Sequence, residues 1–142
     1  MTSQRIYRLS RYGNLLLLQA ADGGDGTVRK VRLLVDTGSS YTILRVSILE
    51  SLGCDLQNPL RRLRIPTGGG IITASVVILP WFNCRGQFVE NFPIVAYTLP
   101  ATNFTDGLLG MDFLTRCRAV ISVAEAEIRC PQSNLPNLPK TC

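Results

Sequence analysis

A chain of 142 residues, 46% hydrophobic and 18% charged, has the make-up of one globular domain, large enough to bury a core without disulfide staples. Its net charge of +5 comes mainly from arginines scattered along the chain, with no aromatic stripe or basic helix, which argues against nucleic acid as a partner. The absence of histidine removes Ser-His-Asp and Cys-His hydrolases, His-ligated haem and nearly all zinc hydrolase sites.

Carboxylates, thiols, hydroxyls and lysine remain as sources of chemistry. The two lysines, Lys30 and Lys140, stand in no apolar context. The five cysteines are too widely spaced for a Cys-x-x-Cys metal or redox motif, so neither a metal nor a cofactor is expected. Their odd number and irregular spacing suggest reduced thiols and a cytoplasmic protein. Asn103-Phe104-Thr105 fits the glycosylation sequon, but nothing else points to secretion. The apolar run 15–18 imitates a signal peptide and is too short. No run approaches the roughly 18 apolar residues that span a bilayer, so a soluble chain with no membrane partner is expected.

In chain order the pattern is β-rich. Residues 6–9 read as a short strand, close to the start, where a terminus often pairs with that of a partner. Residues 14–21 form a second strand, ending in the turn Asp22-Gly23-Gly24-Asp25-Gly26. The spacing of Asp22 and Asp25 fails the EF-hand template, so a turn explains them better than a calcium site. Residues 27–35 return as the second arm of the hairpin and deliver the chain to Asp36.

Beyond Asp36, residues 41–44 read as a strand and 46–52 as a brief helix stopped by Gly53. Two β-prone arms, 63–65 and 71–79, flank Pro66-Thr67-Gly68-Gly69-Gly70, a hairpin with a mobile tip. The triple glycine lacks the following Lys-Ser or Lys-Thr of a phosphate-cradling loop. Residues 82–96 form a strand pair turning near Arg85-Gly86. Asp106-Gly107-Leu108-Leu109-Gly110 then leads into a short helix over 111–116. Strands over 119–123 and 127–130 close the domain, taken as 1–130. Residues 131–142 form a proline-rich tail, extended or disordered.

The residues around Asp36 carry the chemistry. Alone, Asp36-Thr37-Gly38-Ser39 suits a helix N-cap or a turn. At a strand end it suits something else. Two carboxylates held about 3 Å apart cannot both ionise, so they share one proton. One then activates a water while the other protonates the substrate's carbonyl oxygen or leaving group. Glycine lets two backbones approach, and the threonine and serine hydroxyls can fix the geometry.

Val35-Asp36-Thr37-Gly38-Ser39-Ser40 before an apolar strand resembles the signature of aspartic proteases. Leu108-Leu109-Gly110 before a short helix resembles their second element. Between them the glycine-tipped hairpin stands where the family carries its flap. Over residues 5–130 the order and spacing are similar to those of retropepsin-like, single-domain enzymes.

That resemblance implies an all-β, closed acid-protease fold with a flap hairpin and one short C-terminal helix, active as a symmetric dimer. It implies a homodimer because the chain has one aspartate motif and the site needs two. Asp36 would be catalytic, with Thr37 hydrogen-bonding across the dimer axis and Gly38 lying against substrate. Thr67, Gly68, Gly69, Gly70 and Ile71 would close over an extended peptide or protein substrate, and Leu108, Leu109 and Gly110 would complete the site. The implied activity is aspartic endopeptidase hydrolysis.

Two departures from the family pattern stand out. Met111 occupies a position where retroviral members often carry an arginine that braces the dimer. Ser39 replaces a common alanine, and a hydroxyl donated to the carboxylate would lower the dyad's apparent pKa values and favour acidic pH. The rival reading is a retropepsin-fold dimerisation or peptide-binding module without turnover.

Overall fold

The structure is a computed structural model and describes residues 3–24, 26–98 and 105–132. Its elements in order are β1 (Ser3–Arg8), β2 (Ser10–Tyr12), β3 (Leu15–Gly24), β4 (Thr27–Val35), β5 (Ile43–Arg45), α1 (Val46–Ser51), β6 (Arg61–Thr67), β7 (Gly70–Cys84), β8 (Gln87–Tyr97), β9 (Gly107–Leu109), α2 (Met111–Arg116), β10 (Val120–Ser122) and β11 (Glu127–Gln132). The expected all-β class holds, with two short helices where the fold expectation allowed for one at the C-terminal end.

Eight strands form a sheet in the order β2-β3-β4-β9-β5-β8-β7-β6. The sheet closes on itself, because residues 20–23 of β3 also pair with residues 81–84 of β7. Two proline positions show how local chemistry permits this. Pro66 cannot donate to a ladder and lies on β6, an edge strand of the sheet. Pro80 lies on β7 between the part that pairs with β6 and the part that pairs with β3, opposite Asn91, whose φ is +51°.

Inside the closed sheet, Leu33, Leu44, Leu49, Leu79, Leu109 and Phe82 are fully buried. Phe113 of α2 reaches the same core and meets Phe82 edge-on, with ring centroids 5.2 Å apart. Phe82 also lies 5.2 Å from Phe92, so the C-terminal helix is anchored by aromatic contact as well as by burial. A thiol contact between Cys117 and Cys130 links the end of α2 to β11.

Several expectations need correction. The strand predicted to end at Ala21 continues to Gly24, so Asp22 is a buried strand residue rather than part of a turn. The strand alternation places it on the same face as Leu18 and Ala20. The strand predicted over 41–44 begins two residues later, at Ile43, which leaves Tyr41 in the loop after Asp36. β1 pairs with this chain's own β11, Ser3 opposite Gln132 through Arg8 opposite Glu127. β11 therefore takes in Pro131 and Gln132, and the rest of the expected tail, 133–142, lies outside the described residues. With β10, these strands form a separate three-stranded sheet.

The other boundaries shift little. α1 ends two residues before Gly53, whose φ is +81° and whose N–H donates to the Glu50 carbonyl. The turn at Arg85-Gly86 and the helix over 111–116 stand where the sequence placed them.

Candidate active site

Asp36 follows β4 directly. Its loop does not simply run on to the next strand of the sheet, because β9 is inserted between β4 and β5, parallel to the first and antiparallel to the second. The loop must therefore cross the end of β9, where Leu108-Leu109-Gly110 arrives. The Asp36 N–H continues the ladder by donating to the Leu109 carbonyl at 3.0 Å. The two sequence elements are one structural unit.

Glycine is required where these segments cross. A Cβ on Gly110 would overlap the Tyr41 backbone carbonyl, and one on Gly107 would overlap that of Ile43. Both obstacles are main-chain atoms, which cannot rotate aside. That is the physical content of the apolar-apolar-Gly pattern: the fully buried Leu109 and the half-buried Leu108 hold β9 in the sheet, and the glycine lets the aspartate loop pass over it.

The loop itself is held by backbone donors. The Gly38 N–H donates to Asp36 Oδ1 at 2.9 Å, and the Ser39 N–H donates to the Asp36 carbonyl at 3.2 Å. A Cβ on Gly38 would come within 3.2 Å of that same carboxylate oxygen, so a side chain there would crowd the group it orients. From α2, the N–H groups of Met111 and Asp112 donate to the carbonyls of Ser39 and Ser40 at 2.8 and 3.3 Å. Asp36 is half-buried, while Thr37 and Gly38 are exposed.

Ser39 does not do what the sequence suggested. Its hydroxyl donates to the Tyr41 carbonyl at 2.7 Å, so its one proton shapes the loop and is not given to the carboxylate.

Two residues that the sequence reading passed over lock the loop to α2. Thr42 is fully buried, and its Oγ1 donates to Asp112 Oδ1 at 2.7 Å while accepting from the Gly110 N–H at 3.2 Å. The Thr42 N–H donates to Asp112 Oδ2 at 3.0 Å, and the Phe113 N–H to Asp112 Oδ1 at 2.7 Å. The available signal was an acid in the first turn of a helix directly after a required glycine. Asp106 plays a similar part upstream. It exchanges hydrogen bonds with Arg32 on β4, through its carboxylate and its N–H, and its carbonyl accepts from the Arg45 N–H on β5.

The β6–β7 hairpin forms one end of the same sheet. Thr67 pairs with Gly70, so the loop is only Gly68-Gly69, shorter than the five-residue tip the sequence suggested. Gly70 has a φ of +122°, a conformation that favours glycine, and Ile71 is 62% exposed. At the hairpin base a small second core of Ala74, Val76 and Val95 packs with Tyr41, Ile43, Leu63 and Ile65. The hairpin's arms thus share packing with Tyr41 of the aspartate loop.

The sequence profile of the aspartyl protease family matches residues 21–113, about two thirds of the chain, and the chain belongs to that family. No curated protein matches it in sequence. Its fold is similar to that of a retropepsin-like aspartic protease from Rickettsia conorii, with a TM-score of 0.67 and 21% identity over 92% of this chain and 93% of that one. The solution structure of the simian foamy virus (mac) protease matches at a TM-score of 0.48 and 23% identity, over 70% of this chain and 91% of that one. The fold is retropepsin-like.

Proposed function

We propose that the protein is an aspartic endopeptidase that works as a homodimer, each copy supplying one Asp36. The observation that carries this reading is a single half-buried carboxylate, oriented by the Gly38 N–H at 2.9 Å on a loop whose tip is exposed. One chain offers one such carboxylate, and a shared proton needs two.

In the dimer the ionised Asp36 takes a proton from water as that water attacks the scissile carbonyl carbon. The protonated Asp36 hydrogen-bonds the carbonyl oxygen and gives up its proton to it. Collapse of the tetrahedral species returns a proton to the leaving nitrogen and regenerates the pair. Thr37, exposed beside Asp36, bonds across the axis, and Gly38 leaves room for substrate backbone. Thr67 to Ile71 act as the flap, and an extended peptide adds to the strands by main-chain hydrogen bonds. Ile71, Ile43 and Tyr41 favour apolar side chains beside the cut bond. Met111, 40% exposed at the position of the arginine common in retroviral members, leaves apolar surface for the second copy. A cytoplasmic location accords with the thiols of Cys54, Cys84, Cys117 and Cys130, and no helix among the described residues is long and apolar enough to cross a membrane.

The test is to incubate wild-type and Asp36→Asn protein with a mixed peptide library between pH 4 and 7, sequencing the products. Cuts are expected from the wild type alone, with specific activity rising with protein concentration as dimers form. Cleavage that survives the substitution would remove Asp36 from the mechanism.

A further inference from the structure

The helix α2 secures the aspartate loop through Met111 and Asp112 in its first turn, and its other end is closed under strain. There the Arg118 N–H donates to the Thr115 carbonyl and the Ala119 N–H to the Leu114 carbonyl, both at 3.0 Å. These two bonds make a Schellman cap, whose left-handed residue is most often glycine. Here it is Arg118, with a φ of +50°, a conformation that crowds a side chain against its own backbone. Cys117 is the residue that caps the helix, and it is buried in the main core with Phe113 and Leu114.

Beyond the cap the chain enters β10, where Val120 stands opposite Arg129 of β11. One step back in that register Ala119 comes level with Cys130, so the cap and Cys130 are neighbours. Strand alternation turns Ile128 and Cys130 inward together, and both are buried. The Cys117 and Cys130 thiols meet there in a hydrogen bond. That bond lowers the Cys130 pKa, and burial opposes it. A thiol poised toward its thiolate, with a second thiol against it, is the arrangement that oxidises to a disulfide rather than to a terminal acid.

We propose that Cys117 and Cys130 form a reversible oxidation site: a peroxide joins them in a disulfide that clamps the end of α2 to β11 and so steadies the helix holding the aspartate loop. The site stands whether or not the protein cleaves peptides.

The Cys130 thiolate attacks one oxygen of hydrogen peroxide, the O–O bond breaks, and a sulfenic acid forms as hydroxide leaves. The Cys117 sulfur gives up its proton and attacks the Cys130 sulfur, forming the S–S bond and expelling a second hydroxide. The two thiol protons convert the two hydroxides to water, so one peroxide is reduced as one dithiol is oxidised. Helix ends open more readily than core strands, and the strained Arg118 cap is where the buried pair meets the oxidant. A dithiol reductant reverses the reaction, which suits a pair of cysteines held as thiols in the resting protein.

The experiment treats the full wild-type chain with hydrogen peroxide at pH 7, alkylates the remaining thiols and maps the peptides by mass spectrometry without reduction. The expected product carries a Cys117–Cys130 link, lighter by about 2 Da for the two hydrogens lost, and dithiothreitol restores the dithiol. The link closes a loop over residues 118–129, so the thermal midpoint should rise by roughly 5 to 10 °C. Amide exchange at Met111 and Asp112, whose N–H groups bond the aspartate loop, should slow severalfold in the oxidised form. Cys117→Ser and Cys130→Ser should each lose the link and the rise, and Cys54→Ser should keep both. Should the serine variants at the pair not fold, the peptide map of the wild type still decides. Links through Cys54, Cys84 or Cys142, or a sulfinic acid at Cys130 without a link, would overturn the site. A Cys117–Cys130 link that leaves the midpoint and the exchange unchanged would overturn the clamp.

Discussion

Asp22 and Asp36 lie on the same strand pair and the fold treats them in opposite ways. Asp36 emerges from β4 at the open end, half-buried, with an N–H aimed at its carboxylate. Asp22 sits near the other end, opposite Arg29, about 23 Å away by strand rise. It is fully buried, and neither carboxylate oxygen has a hydrogen-bond partner among the described residues. Burial pushes its pKa up to about 7, with the Asp106 charge adding to the rise and the Arg29 charge opposing it. The two carboxylates differ in the donors arranged around them, and burial of an acid alone is no sign of a catalytic site.

The comparison is broken most severely at the support under Asp36. Gly110→Ala drives a Cβ into the Tyr41 carbonyl, and neither backbone can yield without unseating β9. A loss exceeding about 4 kcal/mol is expected, enough to prevent folding of an ordinary domain. Circular dichroism and urea titration would detect it. A variant that folds with a wild-type midpoint would mean that the crossing of loop and strand is not as tight as described.

At the other end the effect has the opposite sign. Folded Asp22 keeps its proton up to about pH 7, whereas the unfolded chain releases it near 3.8. Between those values the folded state binds more protons, so stability is full below about pH 4 and falls as pH rises to 7. The span of about three units sets a ceiling of about 4 kcal/mol on the loss. Asp22→Asn should therefore be more stable than wild type at pH 8 by up to that amount and gain nothing at pH 4. Urea midpoints across pH 4 to 8 measure this directly. Equal pH dependence in the two proteins would show that Asp22 carries its charge without penalty.

Thr42→Val probes the lock between the loop and α2. The substitution keeps the shape and removes the donor to Asp112 and the acceptor for the Gly110 N–H. A loss of about 2 kcal/mol is expected, because a buried N–H is left unpaired. Peptide cleavage should fall with it, since the loop that carries Asp36 loses its anchor. An unchanged urea midpoint would show that the Asp112 contacts to the Thr42 and Phe113 N–H groups are sufficient.

Most of the Asp36 end was legible in the sequence, and most of the Asp22 end was not. Strand, Asp-Thr-Gly and Leu-Leu-Gly are local patterns, and the helix at Met111–Arg116 follows from its spacing. The Thr42–Asp112 lock is a contact across 70 positions, and only the β4-β9-β5 order brings its two halves together. Asp22 was misread because Asp-Gly-Gly-Asp-Gly is strong turn chemistry. Pairing to β4 on one side and β7 on the other carries the strand through Gly24 regardless. Tertiary pairing overrode local preference there.

The smallest effect tests the Asp36 end most finely. A hydroxyl given to the carboxylate would stabilise its charged form, and Ser39→Ala would then shift the acid limb of the pH–rate profile upward. With the Ser39 proton committed to the Tyr41 carbonyl at 2.7 Å, removing it costs one loop hydrogen bond, about 1 kcal/mol, and leaves the carboxylate's donor from Gly38 in place. The expected result is a slightly less stable protein and, in the cleavage assay, an acid limb that does not move. A shift of about half a unit or more would mean that the hydroxyl turns to the dyad when the second Asp36 arrives, and that the aspartate loop is rebuilt on dimerisation rather than merely completed.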